Sequence, residues 1–179
     1  MKEITIFDKT FVESISETNL QARIADLGRV LTKDFQGKDP LVVGILNGAF
    51  LFVADLVRNL GFDPELQFMR LSSYHGGMAS TGTIQPLLEL KGDLNGRHIL
   101  LVEDIVDTGT TLAWLREHLL GRGAASVSMA TLLFKHEVYT KEIPPEYFCF
   151  RIPNEFVVGY GLDYAEHGRN LRSIYKLKG

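Results

Sequence analysis

An α/β fold built on a central, mainly parallel sheet is predicted by three features of the chain. Short apolar runs alternate with stretches of helical periodicity, the pattern of repeated β-α-β units. The run Leu100-Leu-Val102 is apolar at every position, as a strand covered on both faces must be. It leads into two carboxylates, Glu103 and Asp104, then into Asp107-Thr-Gly-Thr-Thr111, and the amphipathic stretch Leu112 to Leu120 begins at once. Strand, polar loop and helix in that order is how an open α/β sheet builds a ligand site beyond a strand's carboxyl end.

The elements can be taken in chain order. Ser14-x-x-Glu17 resembles a capping box, and Leu20, Ile24, Leu27 and Leu31 then recur at helical spacing. Leu41-Val-Val-Gly-Ile-Leu46 reads as a buried strand, Asn47-Gly48 as a turn, and the apolar residues that follow as a helix to about Leu60. Leu66 to Tyr74 reads as another strand. Residues 75–83 lack apolar periodicity and carry three glycines, which predicts a mobile loop. Ile84 to Leu90 returns to extended structure, and Gly92-Asp-Leu-Asn-Gly96 is a turn. After the Leu100 strand and its helix, Gly121 stands where a C-terminal cap is expected. Val127 to Phe134 and Phe156 to Val158 read as further strands. No repeat, linker or low-complexity tract divides the chain, so a single domain over 1–179 is expected.

Composition narrows the function. With 179 residues and 45% hydrophobic content, the chain can bury a sizeable core. A net charge of −3 argues against a nucleic-acid partner, which would show as a basic excess. The longest apolar run without a charge, Pro40 to Ala54, holds 15 residues, short of the roughly 20 that span a bilayer. The first residues carry acids where a signal peptide needs an apolar core. The single cysteine, Cys149, allows no internal disulfide, and no Cys/His metal spacing appears. A soluble, cytoplasmic protein with no membrane partner is expected. The five histidines are scattered and receive no chemistry.

The loop from Thr108 through Gly109 and Thr110 to Thr111 offers hydroxyls, free backbone N–H groups and the positive end of a helix dipole, which suits a phosphate. No Gly-Lys-Ser/Thr is present, so this is not the Walker loop. Taken alone, Asp-Thr-Gly could be an ordinary turn with a Thr cap. Two acids beside it change that reading, because carboxylates accept from vicinal hydroxyls while the loop holds a 5′-phosphate. Together they suit a phosphorylated sugar.

The run 100–111 resembles the phosphoribosyl-pyrophosphate motif of type I phosphoribosyltransferases. Phe156-Val-Val-Gly-Tyr-Gly-Leu-Asp-Tyr164 resembles the purine segment of their hypoxanthine-guanine branch. The likeness runs from about Leu41 to Arg169. It implies the type I phosphoribosyltransferase fold: a central parallel sheet flanked by helices, a small hood and a flexible loop. It also implies the substrates, a 6-oxopurine base and phosphoribosyl pyrophosphate, with Mg²⁺ as cofactor and a homodimer or homotetramer as assembly.

The same resemblance distributes roles along the chain. Gly48 brings its backbone to the pyrophosphate; family members often carry a basic residue where this chain has Asn47, sometimes beside a non-proline cis peptide, and Asn47 cannot supply that charge. Ser73 and Tyr74 open the lid, which would keep water from an oxocarbenium-like centre. Glu103 and Asp104 orient the ribose hydroxyls directly or through magnesium, and Asp163 touches the second magnesium. Lys135 donates to the oxygen at purine position 6. An ammonium has donors only, so it favours that oxygen over the amino group of adenine. Phe156 stacks on the base, the Val157 backbone pairs with the ring edge, and Arg169 contacts pyrophosphate with a forked guanidinium. Asp107 is the candidate general base or acid at purine N7. A regulator that binds the same sugar without turning it over is the rival from another class. The acidic net charge and the purine set Lys135, Phe156 and Asp163 count against it.

Overall fold

The computed structural model describes residues 2–73 and 84–179. Tyr74 and the loop expected over 75–83 lie outside them. In chain order the elements are β1 (Glu3–Ile6), β2 (Lys9–Ile15), α1 (Glu17–Asp34), β3 (Leu41–Leu46), α2 (Phe50–Val57), β4 (Glu65–Ser73), β5 (Ile84–Leu88), β6 (His98–Val106), α3 (Thr110–Gly121), β7 (Ser126–Phe134), β8 (Tyr147–Arg151), β9 (Val157–Val158) and β10 (Ile174–Leu177).

Six strands form the central sheet in the order β5-β4-β3-β6-β7-β8. All its pairs are parallel except β4 with β5. Helices cover both faces, which is why β3 and β6 are continuously apolar. One core packs Leu20, Ile24 and Leu31 of α1 and Phe52 and Leu56 of α2 against Val42, Leu100 and Leu132. The other packs Leu112, Leu115 and Leu119 of α3 against Val43, Ile99, Leu101 and Met129. Sequence order reverses between β3 and β6, so a crevice opens beyond their carboxyl ends. The turn after β3 and the loop after β6 both end there.

Four strands form a smaller antiparallel sheet in the order β1-β2-β10-β9. It joins the chain's beginning to its end and supplies the expected hood. Among its strands only β9 was expected from sequence. β2 buries just Phe11 and Ile15, too thin an apolar pattern to read as a strand.

Two helix ends differ from expectation. Ser14 does not cap α1, because β2 runs on through Ile15 and holds it in the sheet. Ser16 is the cap: its extended backbone lets Oγ accept from the Asn19 N–H at 3.4 Å. Glu17 is then the first helical residue and cannot close a capping box. Gly121 does not end α3 as a cap either. It is the last helical residue, Arg122 is the C-cap, and Gly123 takes the left-handed conformation at φ +88°.

Candidate active site

The site grows from two close backbone approaches at the crevice. The Leu46–Asn47 peptide at the end of β3 is cis. Gly48 follows, and a Cβ on it would overlap Oδ2 of Asp104, so the acid packs directly against that backbone. Gly161, at φ +102°, brings a second loop onto Gly48, since a Cβ there would overlap the Gly48 carbonyl oxygen. This second loop carries Asp163 and Arg169. One Arg169 nitrogen donates to the Gly161 carbonyl at 2.9 Å, and the other pairs with Asp163 at 2.9 Å and Glu166 at 2.8 Å. The Glu166 N–H also donates to Asp163 at 2.8 Å. Gly48, Asp104, Asp163 and Arg169, separated in sequence by up to 121 positions, thus meet.

Glu103 and Asp104 lie within β6, which continues past them to Val106, rather than after its end. Burial pushes the Glu103 carboxyl up to about 8, and the charge of Asp104 adds to the effect. Burial also raises Asp104, to about 6. Its own N–H, that of Ile105 and the Arg169 charge work the other way, while Asp163 adds to the rise. Burial thus opposes the ionised form of both acids, of Glu103 more than of Asp104.

Glu103 turns toward the loop after β6. Residues 107–109 of that loop and the first turn of α3 wrap a cavity of about 90 Å³ together with Glu103, Ile105 and Val106. Gly109 is the N-cap of α3 at φ +83°, where a Cβ would strike the Tyr139 ring, and it offers no side-chain cap. The first N–H groups of α3 consequently lack a capping partner. Thr108 and Thr110 approach each other through their hydroxyls at 3.2 Å, and Thr140 N–H and Oγ1 both donate to the Thr108 carbonyl at 3.2 Å. Such a ring of N–H and O–H donors is built for an anion.

Lys135 follows β7 and is 8% exposed. Its Nζ donates to Asp107 Oδ2 at 3.2 Å and to Asn154 Oδ1 at 3.3 Å. The chain segment Pro153–Phe156 therefore reaches the same ammonium as the phosphate loop. Phe156 remains 44% exposed, with Tyr164 edge-on at 5.9 Å, Phe11 tilted at 6.1 Å and the Lys9 ammonium 5.5 Å from its ring. An aromatic ring held by such neighbours and still 44% exposed has apolar area open for stacking. Val157 is buried, and β9 is anchored to β10 at Val157↔Lys176. Ser73 ends β4 opposite Ile84.

Asn154, Lys9 and Tyr164 were not singled out in the sequence. Asn154 had one available signal, its position two residues before Phe156 in a loop. Lys9 had none, because its approach depends on a sheet joining both ends of the chain.

Among the described residues no group of three or more His, Cys, Asp or Glu side chains forms a ready-made metal cage. The crevice offers Asp104 and Asp163, both hard carboxylate donors, with Glu103 beside them facing the loop after β6. That set fits magnesium, which binds through one or two carboxylates and takes its remaining ligands from phosphates and water. No helix among the described residues is long and apolar enough to cross a membrane.

Comparison with known proteins bears on this geometry. The phosphoribosyl transferase domain family matches residues 13–165. The hypoxanthine-guanine phosphoribosyltransferase of Streptococcus pneumoniae is 51% identical over 164 residues, 92% of this chain and 91% of that protein. Its counterpart from Lactococcus lactis is 48% identical over 164 residues, 92% and 89% of the two chains. Among solved structures, a hypoxanthine phosphoribosyltransferase from Staphylococcus aureus superposes with a TM-score of 0.87 at 42% identity, covering 93% of this chain and 90% of that one.

Proposed function

The chain belongs to the phosphoribosyltransferase family, and from that premise we infer that it works in purine salvage. It transfers the 5-phosphoribosyl group of 5-phospho-α-D-ribose 1-diphosphate to N9 of hypoxanthine, and of guanine, releasing pyrophosphate with the 6-oxopurine nucleotide. One observation carries the reading furthest. Asp107 opens the phosphate loop and also accepts from Lys135, so a single side chain joins the sugar-phosphate side to the base side.

The roles follow from placement. Thr108, Gly109, Thr110 and Thr111 hold the 5′-phosphate through N–H and hydroxyl donors. This remote binding fixes the anomeric carbon for reaction. Glu103 and Asp104 accept from the ribose hydroxyls. The Gly48 backbone and Arg169 hold the diphosphate, with Arg169 exchanging its carboxylate partners for phosphate oxygens. Phe156 stacks on the base, Val157 borders its edge, and Lys135 donates to the position-6 oxygen. Asp107 takes or returns a proton at purine N7. Ser73 and Tyr74 are assigned to closing the site over the sugar.

Magnesium would be held by Asp163, Asp104 and Glu103, and when bound it supplies charge neutralisation of the leaving diphosphate. The burial of Glu103 and Asp104 supports that assignment, since a bound cation offsets the cost of desolvating their charges. The setting we propose is the cytoplasm, with residues 1–179 as one domain assembling as a homodimer or homotetramer, and with neither nucleic acid nor membrane as partner.

The test is a steady-state comparison of hypoxanthine, guanine, xanthine and adenine, each with the sugar diphosphate and magnesium. Turnover of hypoxanthine and guanine with adenine poor is expected, because the adenine amino group faces the donor-only Lys135. Adenine used as well as hypoxanthine would contradict the assignment of the base site.

A further inference from the structure

We propose that Asn154 is a positioning residue that aims Lys135 and thereby sets the preference for 6-oxo over 6-amino purines. The inference rests on the function proposed above and extends its base-recognition site by one residue.

An ammonium carries three N–H donors and no acceptor. In Lys135 two of them find acceptors among the described residues, Asp107 Oδ2 at 3.2 Å and Asn154 Oδ1 at 3.3 Å. The third is left for a ligand. With two corners of the tetrahedron pinned, the direction of the third is no longer free. A lysine tethered by one contact keeps torsional freedom at the end of its stem, whereas two contacts hold the donor still. Burial sharpens the point, because Lys135 is 8% exposed and a desolvated ammonium needs every acceptor it can reach.

The two anchors differ in charge. Asp107 is a carboxylate, half exposed, and Asn154 is a neutral amide. One negative partner leaves the ammonium's charge only partly answered, so its free N–H stays a strong donor toward an oxygen. Asn154 also stands in the segment that supplies Phe156 and Val157. The loop that places the base therefore places the lysine's aim, and the two cannot drift apart independently. The amide acts through Lys135 and need not touch the base.

The experiment uses the full chain and five proteins: parent, Asn154→Ala, Asn154→Asp, Lys135→Met, and the pair Lys135→Met with Asn154→Ala. We expect Asn154→Ala to raise the KM for hypoxanthine about tenfold, the scale of one lost charge-assisted hydrogen bond. The KM for the sugar diphosphate should move by less than about twofold, and the ratio of hypoxanthine to adenine use should narrow. Asn154→Asp retains an acceptor but adds a second negative partner, so it should restore only part of the base affinity lost in Asn154→Ala. In the Lys135→Met background, Asn154→Ala should add nothing, since there is no ammonium left to aim. Parent-like base affinity in Asn154→Ala, equal losses for both substrates, failure of Asn154→Asp to restore, or additive losses in the pair would each overturn the proposal. Absence of transfer to any 6-oxopurine by the parent chain would instead defeat the function on which it rests, and the proposal with it.

Discussion

At the scale of single residues, the proposed proton chemistry rests on Asp107. Its carboxylate stands one residue before the phosphate loop and accepts from Lys135 at 3.2 Å. Asp107→Asn preserves shape but removes the base, so turnover should fall roughly 10²-fold or more, the scale of general acid–base catalysis. Affinity for the sugar diphosphate should survive; equal turnover in variant and parent, measured where chemistry limits the rate, would remove Asp107 from that role. Lys135→Ala should weaken 6-oxopurines selectively by about 1.5–3 kcal/mol, the usual worth of a hydrogen bond to a charged group. Loss of both substrates alike would make Lys135 structural. Gly48 tests the pyrophosphate side. Any side chain there meets the Asp104 carboxylate, so Gly48→Ala must shift one or the other. A displacement of that size costs about 10²-fold in kcat/KM, and unchanged kinetics would show that the turn can yield.

At the scale of elements, a polar clamp holds the loop that delivers Asp163. Asp55 of α2 accepts from the Tyr160 hydroxyl and from Gln21 of α1, the latter at 2.7 Å, and pairs with Arg58. Burial acts to raise the Asp55 carboxyl, but the bonds from Tyr160, Gln21 and Arg58 outweigh it and hold it below its ordinary value. A carboxyl with a depressed folded pKa gives stability that is full above the unfolded value of about 3.9 and lost as pH falls through the folded one. Thermal melts between about pH 2 and pH 6 should therefore show a shallower acid limb in Asp55→Asn than in the parent. Identical limbs would mean that the clamp contributes nothing. Sequence made some of these elements plain and hid others. β3 and β6 were legible because helices on both faces demand unbroken apolar runs. The loop before α3 drew notice because two acids at the end of an apolar strand precede it, whereas Thr and Gly alone would read as an ordinary helix cap. β2 was not, since it buries only Phe11 and Ile15. The start of α1 was misplaced by two residues because Ser14 and Ser16 are both plausible caps, and only the β2–β10 pairing through Ile15 decides between them.

For the whole molecule, the sugar and phosphate side proposed above lies on the larger sheet and the proposed purine side is backed by the smaller one. Phe156 enters β9, whose partner β10 is paired with β2, and Lys9 of β2 stands beside the Phe156 ring. The resemblance in residues 156–164 pointed to this segment as the base site without revealing that the chain's first strands brace it, because such pairing leaves no local signature. Cys149 lies inside the larger core at 3% exposure, and burial raises its thiol to about 12. It should resist alkylation at about pH 8 in the folded chain and react only on unfolding, as mass spectrometry would show; rapid labelling of native protein would mean that the core opens. The claim that joins these parts is that pyrophosphate leaves as the nucleotide forms. Phosphorus NMR of the purified chain with hypoxanthine, phosphoribosyl pyrophosphate and magnesium follows both products at once. Equal growth of free pyrophosphate and 5′-nucleotide is expected, with neither appearing when the base is omitted or the metal chelated. Tight binding of both substrates with no pyrophosphate released from hypoxanthine or guanine would contradict it.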